Sequence, residues 1–146
     1  MVVVKDLIAG KKAVITTKKT VTLDEIVQTM VVEDIHRLPV VDDEGNCVGI
    51  ITDQDVRVTA GSPIIGNHNY SDLMKTLHKY TVDEATQRQQ RGLILVEEST
   101  PVVNAAQLLM DHHIGGVPVV QDGTSKVVGV LTRTDLIKHL IQTLQS

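Results

Sequence analysis

The sequence contains no tryptophan, no phenylalanine and only two tyrosines, Tyr70 and Tyr80. Single-stranded nucleic acids are held on aromatic faces against which bases stack, so that class of partner is largely excluded. Surplus positive charge is missing too. Fourteen Lys and Arg stand against 18 Asp and Glu, a net charge of −4, which argues against bulk binding of a phosphate backbone. The one cysteine, Cys47, can close no intramolecular disulfide and offers no CxxC metal spacing. No apolar run approaches the roughly 20 residues of a membrane span. The opening Met1-Val2-Val3-Val4-Lys5-Asp6 meets charge too early for a signal peptide. A soluble, cytoplasmic protein is expected. At 146 residues the chain has the length of one domain, enough to bury roughly 70% of its unfolded surface.

What the sequence does have is an internal repeat. Leu38-Pro39-Val40-Val41-Asp42-Asp43-Glu44-Gly45-Asn46-Cys47-Val48-Gly49-Ile50-Ile51-Thr52-Asp53-Gln54-Asp55-Val56 returns, with one residue inserted, as Val117-Pro118-Val119-Val120 through Val127-Val128-Gly129-Val130-Leu131-Thr132-Arg133-Thr134-Asp135-Leu136. Upstream, Thr22–Met30 matches Val102–Met110, and Ala13-Val14-Ile15 matches Leu93-Ile94-Leu95. Each copy reads as strand, helix, strand, hairpin, strand, helix. Leu23, Ile26, Val27 and Met30 make a helical stripe, and Thr22 with Glu25 is a capping-box start for it. Leu136, Ile137, Leu140, Ile141 and Leu144 form the apolar face of a closing helix from Asp135 to about Leu144.

The expected fold is α/β: two β-α-β-β-α repeats related by a pseudo-twofold axis and packed through their sheets. Repeat 1 spans 1–60 and repeat 2 spans 92–146, with a linker and insertion over 61–91. Within that stretch Gly61-Ser62-Pro63 and Gly66-Asn67-His68-Asn69 are loop chemistry. Tyr70-Ser71-Asp72-Leu73-Met74 echoes Val4-Lys5-Asp6-Leu7-Ile8, so repeat 2 formally starts near Tyr70. Thr81–Arg91 is polar, with a Thr81/Glu84 capping pattern, and is expected as a solvated helix or a mobile excursion.

In Gly-h-h-Thr-x-x-Asp, present twice, the hydroxyl closes a buried strand and the carboxylate sits in the first turn of the next helix. Helix N-termini suit phosphate, and a carboxylate can accept from both hydroxyls of a ribose. The same spacing is also a plain capping box, with the acid near the helix dipole for stability alone.

These motifs resemble a tandem pair of CBS domains, the Bateman module. The resemblance rests on Val4-Lys5-Asp6-Leu7, Thr22-Leu23-Asp24-Glu25, His36-Arg37-Leu38-Pro39-Val40-Val41-Asp42, Gly49-Ile50-Ile51-Thr52-Asp53-Gln54-Asp55, Gly115-Gly116-Val117-Pro118-Val119-Val120 and Gly129–Asp135. It implies a regulatory module without catalysis of its own, often a homodimer, that binds AMP, ADP, ATP or S-adenosylmethionine in clefts between paired repeats. Matched residue by residue, it implies one pocket from Thr132, Thr134 and Asp135 with Val14, Ile35 and His36. The other takes Thr52 and Asp55 with Ile94, Ile114 and Gly115. Arg37 and Arg133 flank these positions and are candidates for phosphate.

The pockets are expected to differ in charge. Arg133 follows Thr132, whereas Asp53 follows Thr52, and Thr17-Lys18-Lys19 has Glu97-Glu98-Ser99 as its counterpart. Lys11-Lys12 and Lys18-Lys19 read otherwise as solvated loop charge. His112 and His113, adjacent on a helix, diverge by about 100° and cannot chelate together. No GxSxG, Walker A loop or GxGxxG is present. The rival to a nucleotide sensor is a structural or protein-interaction module in which Asp55 and Asp135 serve only as caps.

Overall fold

The computed structural model describes residues 1–60, 70–87, 89 and 92–146. Their elements run α1 (Val4–Ile8), α2 (Leu23–Glu33), β1 (Arg37–Val41), β2 (Cys47–Thr52), α3 (Asp53–Thr59), α4 (Tyr70–Leu77), α5 (Val82–Gln87), β3 (Val96–Glu97), α6 (Val102–His112), β4 (Gly116–Val120), β5 (Val127–Thr132) and α7 (Arg133–Gln145). The fold is mixed α/β. Its two compact units cut across the sequence repeats. A terminal unit gathers Met1–Ile15, Glu44–Cys47 and Ile94–Ser146, and a middle unit gathers Thr16–Asp43 and Val48–Leu93.

In the terminal unit β4 lies between β3 and β5. It runs parallel to β3, with Val96 opposite Val119, and antiparallel to β5, with Val117 opposite Leu131. Flanked on both sides, β4 is buried at all five positions, as its unbroken apolar run requires. Val4, Val96, Ala105, Leu109, Ile114, Val117, Val119 and Leu131 form the core, with Leu7, Ile8, Ile94, Leu108 and Leu136 against it. Gly129 lets α1 approach β5: a Cβ there would stand 2.8 Å from Cδ1 of Ile8.

The middle unit repeats this scheme with less strand. β1 and β2 pair as a two-stranded sheet, and the third strand shrinks to one parallel bridge between Thr17 and Val40. Leu23, Ile26, Leu38, Val40, Ile51, Leu77 and Val82 are buried there. Both α2 and α6 end on a left-handed residue, Asp34 and His113, each at φ 54°. At the hairpin tips that role passes to glycine, with Gly45 at φ +82° and Gly123 at φ +72°.

Several expectations need correction. The runs Ala13–Ile15 and Leu93–Leu95 lie outside any strand: ladder contacts start at Thr17 and Val96. Val14, Ile15, Ile94 and Leu95 are half-buried. Apolar β-branched sequence reports burial, and here burial comes without a hydrogen-bonded neighbour. Thr22 is the N-cap of α2 but makes no side-chain cap bond. Its hydroxyl lies beside the Asp24 carboxylate instead. Thr81 and Glu84 do close their box, at 3.3 and 3.4 Å. The α5 helix this box opens is not simply solvated, because Val82 and Ala85 are buried. The loop signals at 61–69, and residues 88, 90 and 91 of the polar stretch, lie outside the described residues.

Tyr70–Met74, the echo of Val4–Ile8, lies in α4, but the contacts of α1 are reproduced by α5. Val3 N donates to Asp6 Oδ2 as Thr81 N donates to Glu84 Oε1. Val3 bridges Pro101 at the start of α6 as Thr81 bridges Thr22 at the start of α2. Val4 and Val82 are both fully buried. The structural register therefore sets Val4 against Val82.

Candidate functional site

Two strand-to-helix junctions carry the candidate chemistry, one in each unit. At the first, β2 ends on Thr52 and α3 begins. Asp55 N donates to Thr52 Oγ1 at 3.2 Å, while Asp55 Oδ2 accepts from Thr52 N at 2.8 Å and from Thr52 Oγ1 at 3.0 Å. At the second, β5 ends on Thr132 and α7 begins, and the corresponding distances for Thr132 and Asp135 are the same 3.2, 2.8 and 3.0 Å. Both are complete capping boxes. A cap of this kind stabilises a helix by about 1 kcal/mol. The threonine hydroxyl has a single proton, and in both boxes it goes to the aspartate. Donation from Thr52 or Thr132 to a phosphate would require that bond to break.

The backbone beside each box is also duplicated. Asp53 N donates to His36 O and Arg133 N to Gly115 O, each at 3.0 Å. This ties the start of the helix to the residue just before β1 or beside the start of β4. Position 36/115 is thus held at both junctions, whatever its side chain.

Each carboxylate has a further donor that the sequence did not single out. Lys11 Nζ lies 2.8 Å from Asp135 Oδ2 and 2.9 Å from Val130 O. Gln89 Nε2 lies 2.9 Å from Asp55 Oδ2 and 2.7 Å from Ile50 O. Val130 and Ile50 are matched strand residues, two before the threonine. Lys11 and Gln89 are matched as well. Lys11 stands seven residues after Val4 and Gln89 seven after Val82, and their amides donate to Ile8 O and Thr86 O at 3.1 Å. Lys11 is the exposed loop charge its sequence suggested, and it is in addition paired with Asp135. The signal that could have found the pair is the register of Val3-x-x-Asp6 on Thr81-x-x-Glu84, which aligns position 11 with 89.

The remaining candidates divide between the units. Val14, Ile94, Ile114, Gly115, Thr132, Arg133, Thr134 and Asp135 belong to the terminal unit; Ile35, His36, Arg37, Thr52 and Asp55 belong to the middle one. Ile114 is buried, Val14, Ile35, Arg37, Ile94 and Gly115 are half-buried, and Thr134 is exposed. Arg133 Nε reaches back to Ile114 O at 3.2 Å. His36, 73% exposed, has its Nδ1 3.4 Å from Asp53 Oδ2, which Arg57 also approaches at 3.5 Å.

The loop charges expected to polarise the pockets are engaged locally. Lys18 pairs with Asp43 at 2.8 Å and Lys19 with Asp83 at 3.9 Å, while Glu97 Oε2 accepts from Gly123 N. The charge difference at the two aspartates has a nearer source in Lys11 and Gln89.

Away from the junctions, Asp24 Oδ2 lies 3.1 Å from His78 Nδ1. The Thr22 hydroxyl, and then His78, hold the Asp24 carboxyl below its ordinary range. Among the described residues, no group of three His, Cys, Asp or Glu side chains could hold a metal ion, and no helix is long and apolar enough to cross a membrane.

Known proteins are similar to this chain in sequence and fold. The family model for the CBS domain matches residues 4–59 and 89–142. A CBS domain-containing protein of Dictyostelium discoideum is 37% identical over 145 residues, which cover 99% of this chain and 94% of that one. An uncharacterized protein of Methanocaldococcus jannaschii is 31% identical over 117 residues, covering 80% of this chain and 40% of its own length. Among solved structures, the CBS domain pair of protein MJ0100, in complex with 5′-methylthioadenosine and S-adenosylmethionine, superposes with a TM-score of 0.75 at 29% identity, covering 98% of both chains.

Proposed function

The chain belongs to the CBS-domain family, and from that premise we propose that it is a non-catalytic regulatory module that binds adenosine-containing ligands, namely AMP, ADP, ATP or S-adenosylmethionine. The observation that carries this reading is the duplicated junction. Twice, an aspartate is held at the end of a strand beside a strand carbonyl, so that two acceptors converge on one donor. Two acceptors side by side suit the vicinal hydroxyls of a ribose. The 29% identical pair of MJ0100, which carries two adenosine derivatives, supports the same ligand class. In this reading Asp55 and Asp135 grip the sugar. Val14, Ile35, Ile94, Ile114 and Gly115 face the base, and His36, Arg37, Arg133 and Thr134 serve the ligand's charged end. Binding would shift the population of conformers offered to a regulated partner protein in the cytoplasm.

One observation favours the rival, a ligand-free interaction module. One oxygen of each carboxylate, Oδ2, already holds three internal donors. A thermal-melt panel with AMP, ADP, ATP and S-adenosylmethionine separates the two. A ligand at 100 times its Kd adds about 2.7 kcal/mol of stability. At least one of the four is expected to raise Tm, and the rise should vanish in the Asp55→Ala/Asp135→Ala double variant. No rise with any of them establishes the rival.

The protein is further proposed to be a homodimer. Ile137, Leu140, Ile141 and Leu144 line one face of α7 and are 49–76% exposed, an apolar stripe that water does not favour. Light scattering should give twice the 15.9 kDa of one chain, falling to one chain in Leu140→Glu.

A further inference from the structure

Every hydrogen bond described to the Asp55 and Asp135 carboxylates falls on Oδ2. At each, one of the three donors comes from outside the capping box, and that donor also satisfies the strand carbonyl two residues before the threonine. In the terminal unit it is an ammonium, Lys11 Nζ; in the middle unit it is a neutral amide, Gln89 Nε2. The two occupy matched positions and make matched contacts. The donors themselves differ in charge.

Resting on the nucleoside-binding reading above, we propose that Lys11 and Gln89 are built-in competitors of the ligand's sugar and set the selectivity of the two sites. A diol seated on the carboxylate and the strand carbonyl needs Oδ2, which is where the side-chain nitrogen sits. Binding at Asp135 therefore breaks an ion pair, whereas binding at Asp55 breaks a neutral-donor hydrogen bond. The Lys11–Asp135 pair is partly screened, with its side chains 38% and 11% exposed, so salt weakens it. Salt should consequently help an uncharged ribonucleoside at Asp135 and leave it unaffected at Asp55. A neutral ligand is the right probe because it removes the opposite salt dependence that phosphates would bring.

The experiment uses adenosine and calorimetric titration at 50 and 500 mM salt on full-length single-site variants. Asp55→Ala isolates the Asp135 site, and Asp135→Ala isolates the Asp55 site. With Asp135 alone, binding should tighten with salt, and adding Lys11→Met should raise affinity at low salt about two- to fivefold, the range a partly exposed ion pair is worth. Lys11→Gln should abolish the salt response, and Gln89→Lys should confer it on the Asp55 site. A purely structural role for Lys11 would instead lower Tm with no gain in affinity. Adenosine binding that is salt-independent at both sites, or that weakens in Lys11→Met, overturns the competitor role while leaving the binding reading intact. Absence of binding by adenosine and by all four panel ligands, in wild type and every variant, overturns both.

Discussion

Thr52–Asp55 and Thr132–Asp135 agree to a tenth of an ångström in all three capping-box distances, yet the outside donor is an amide at one and an ammonium at the other. The shared part is made of backbone and of a threonine and an aspartate three residues apart. It follows from the strand-to-helix turn and tolerates little change. The differing part is the tip of a long side chain that arrives from far along the sequence. There only reach and hydrogen-bond donation are constrained, so charge is free to vary. A duplicated fold preserves its local geometry and diversifies at the atoms delivered from a distance.

The same contrast can be pressed on the cores. Ile51 and Leu131 are matched, and both are fully buried. Ile51→Ala and Leu131→Ala should each cost about 2–5 kcal/mol by urea unfolding. A difference between them larger than about 2 kcal/mol would break the equivalence of the two units.

A smaller and unequal effect is expected at the matched glycines. A Cβ at Gly129 would meet Ile8 Cδ1 at 2.8 Å, whereas at Gly49 it would meet only Val40 Cβ at an ordinary 3.9 Å. The atom met is the tip of the Ile8 side chain, which can turn aside, so Gly129→Ala should destabilise by about 0.5–1.5 kcal/mol, and Gly49→Ala should be close to neutral. Equal melting temperatures for the two variants would remove this distinction between α1 packing and its counterpart.

The smallest effect concerns Asp24. Helices α2 and α6 align Leu23 with Val102, one residue away from the match of Thr22 with Val102 expected from sequence. The equivalent of Asp24 is therefore Val103, which cannot titrate. Its folded carboxyl is held below the ordinary range, first by Thr22 and then by His78, so the stabilisation is present above the unfolded value near 3.8 and disappears as pH falls through the folded one. Asp24→Asn should therefore lose stability at pH 7 and converge on wild type in acid. A constant gap in urea midpoint from pH 7 to pH 2 would contradict this.

The parts of this molecule legible in its sequence are those where pattern and contact are local. The α2 stripe, the apolar face of α7, the hairpins and both Thr-x-x-Asp boxes follow from residues within a few turns or one hairpin of each other. Thr22 shows the limit even there, because its hydroxyl lies beside Asp24 and makes no cap bond to the helix. The α1–α5 equivalence was hidden because Tyr70–Met74 resembles Val4–Ile8 in letters, while Val82–Gln87 resembles it in contacts. Lys11 and Gln89 stayed unread for a different reason. Their partners are 124 and 34 residues away, and nothing in a lysine or a glutamine announces which distant oxygen it will meet.

The way the terminal unit is stitched together sets a clock. Val4 is fully buried, and its amide donates to Thr100 O while the next amide donates to Glu98 O. At about 5–20 residues per second of synthesis, the segment carrying Val4 and Lys11 leaves the ribosome roughly 5–25 s before the residues that will receive it. For that interval Val4, Leu7 and Ile8 have no core to enter. The first copy of the repeat can be read complete in the sequence, but its opening fifteen residues wait for the second.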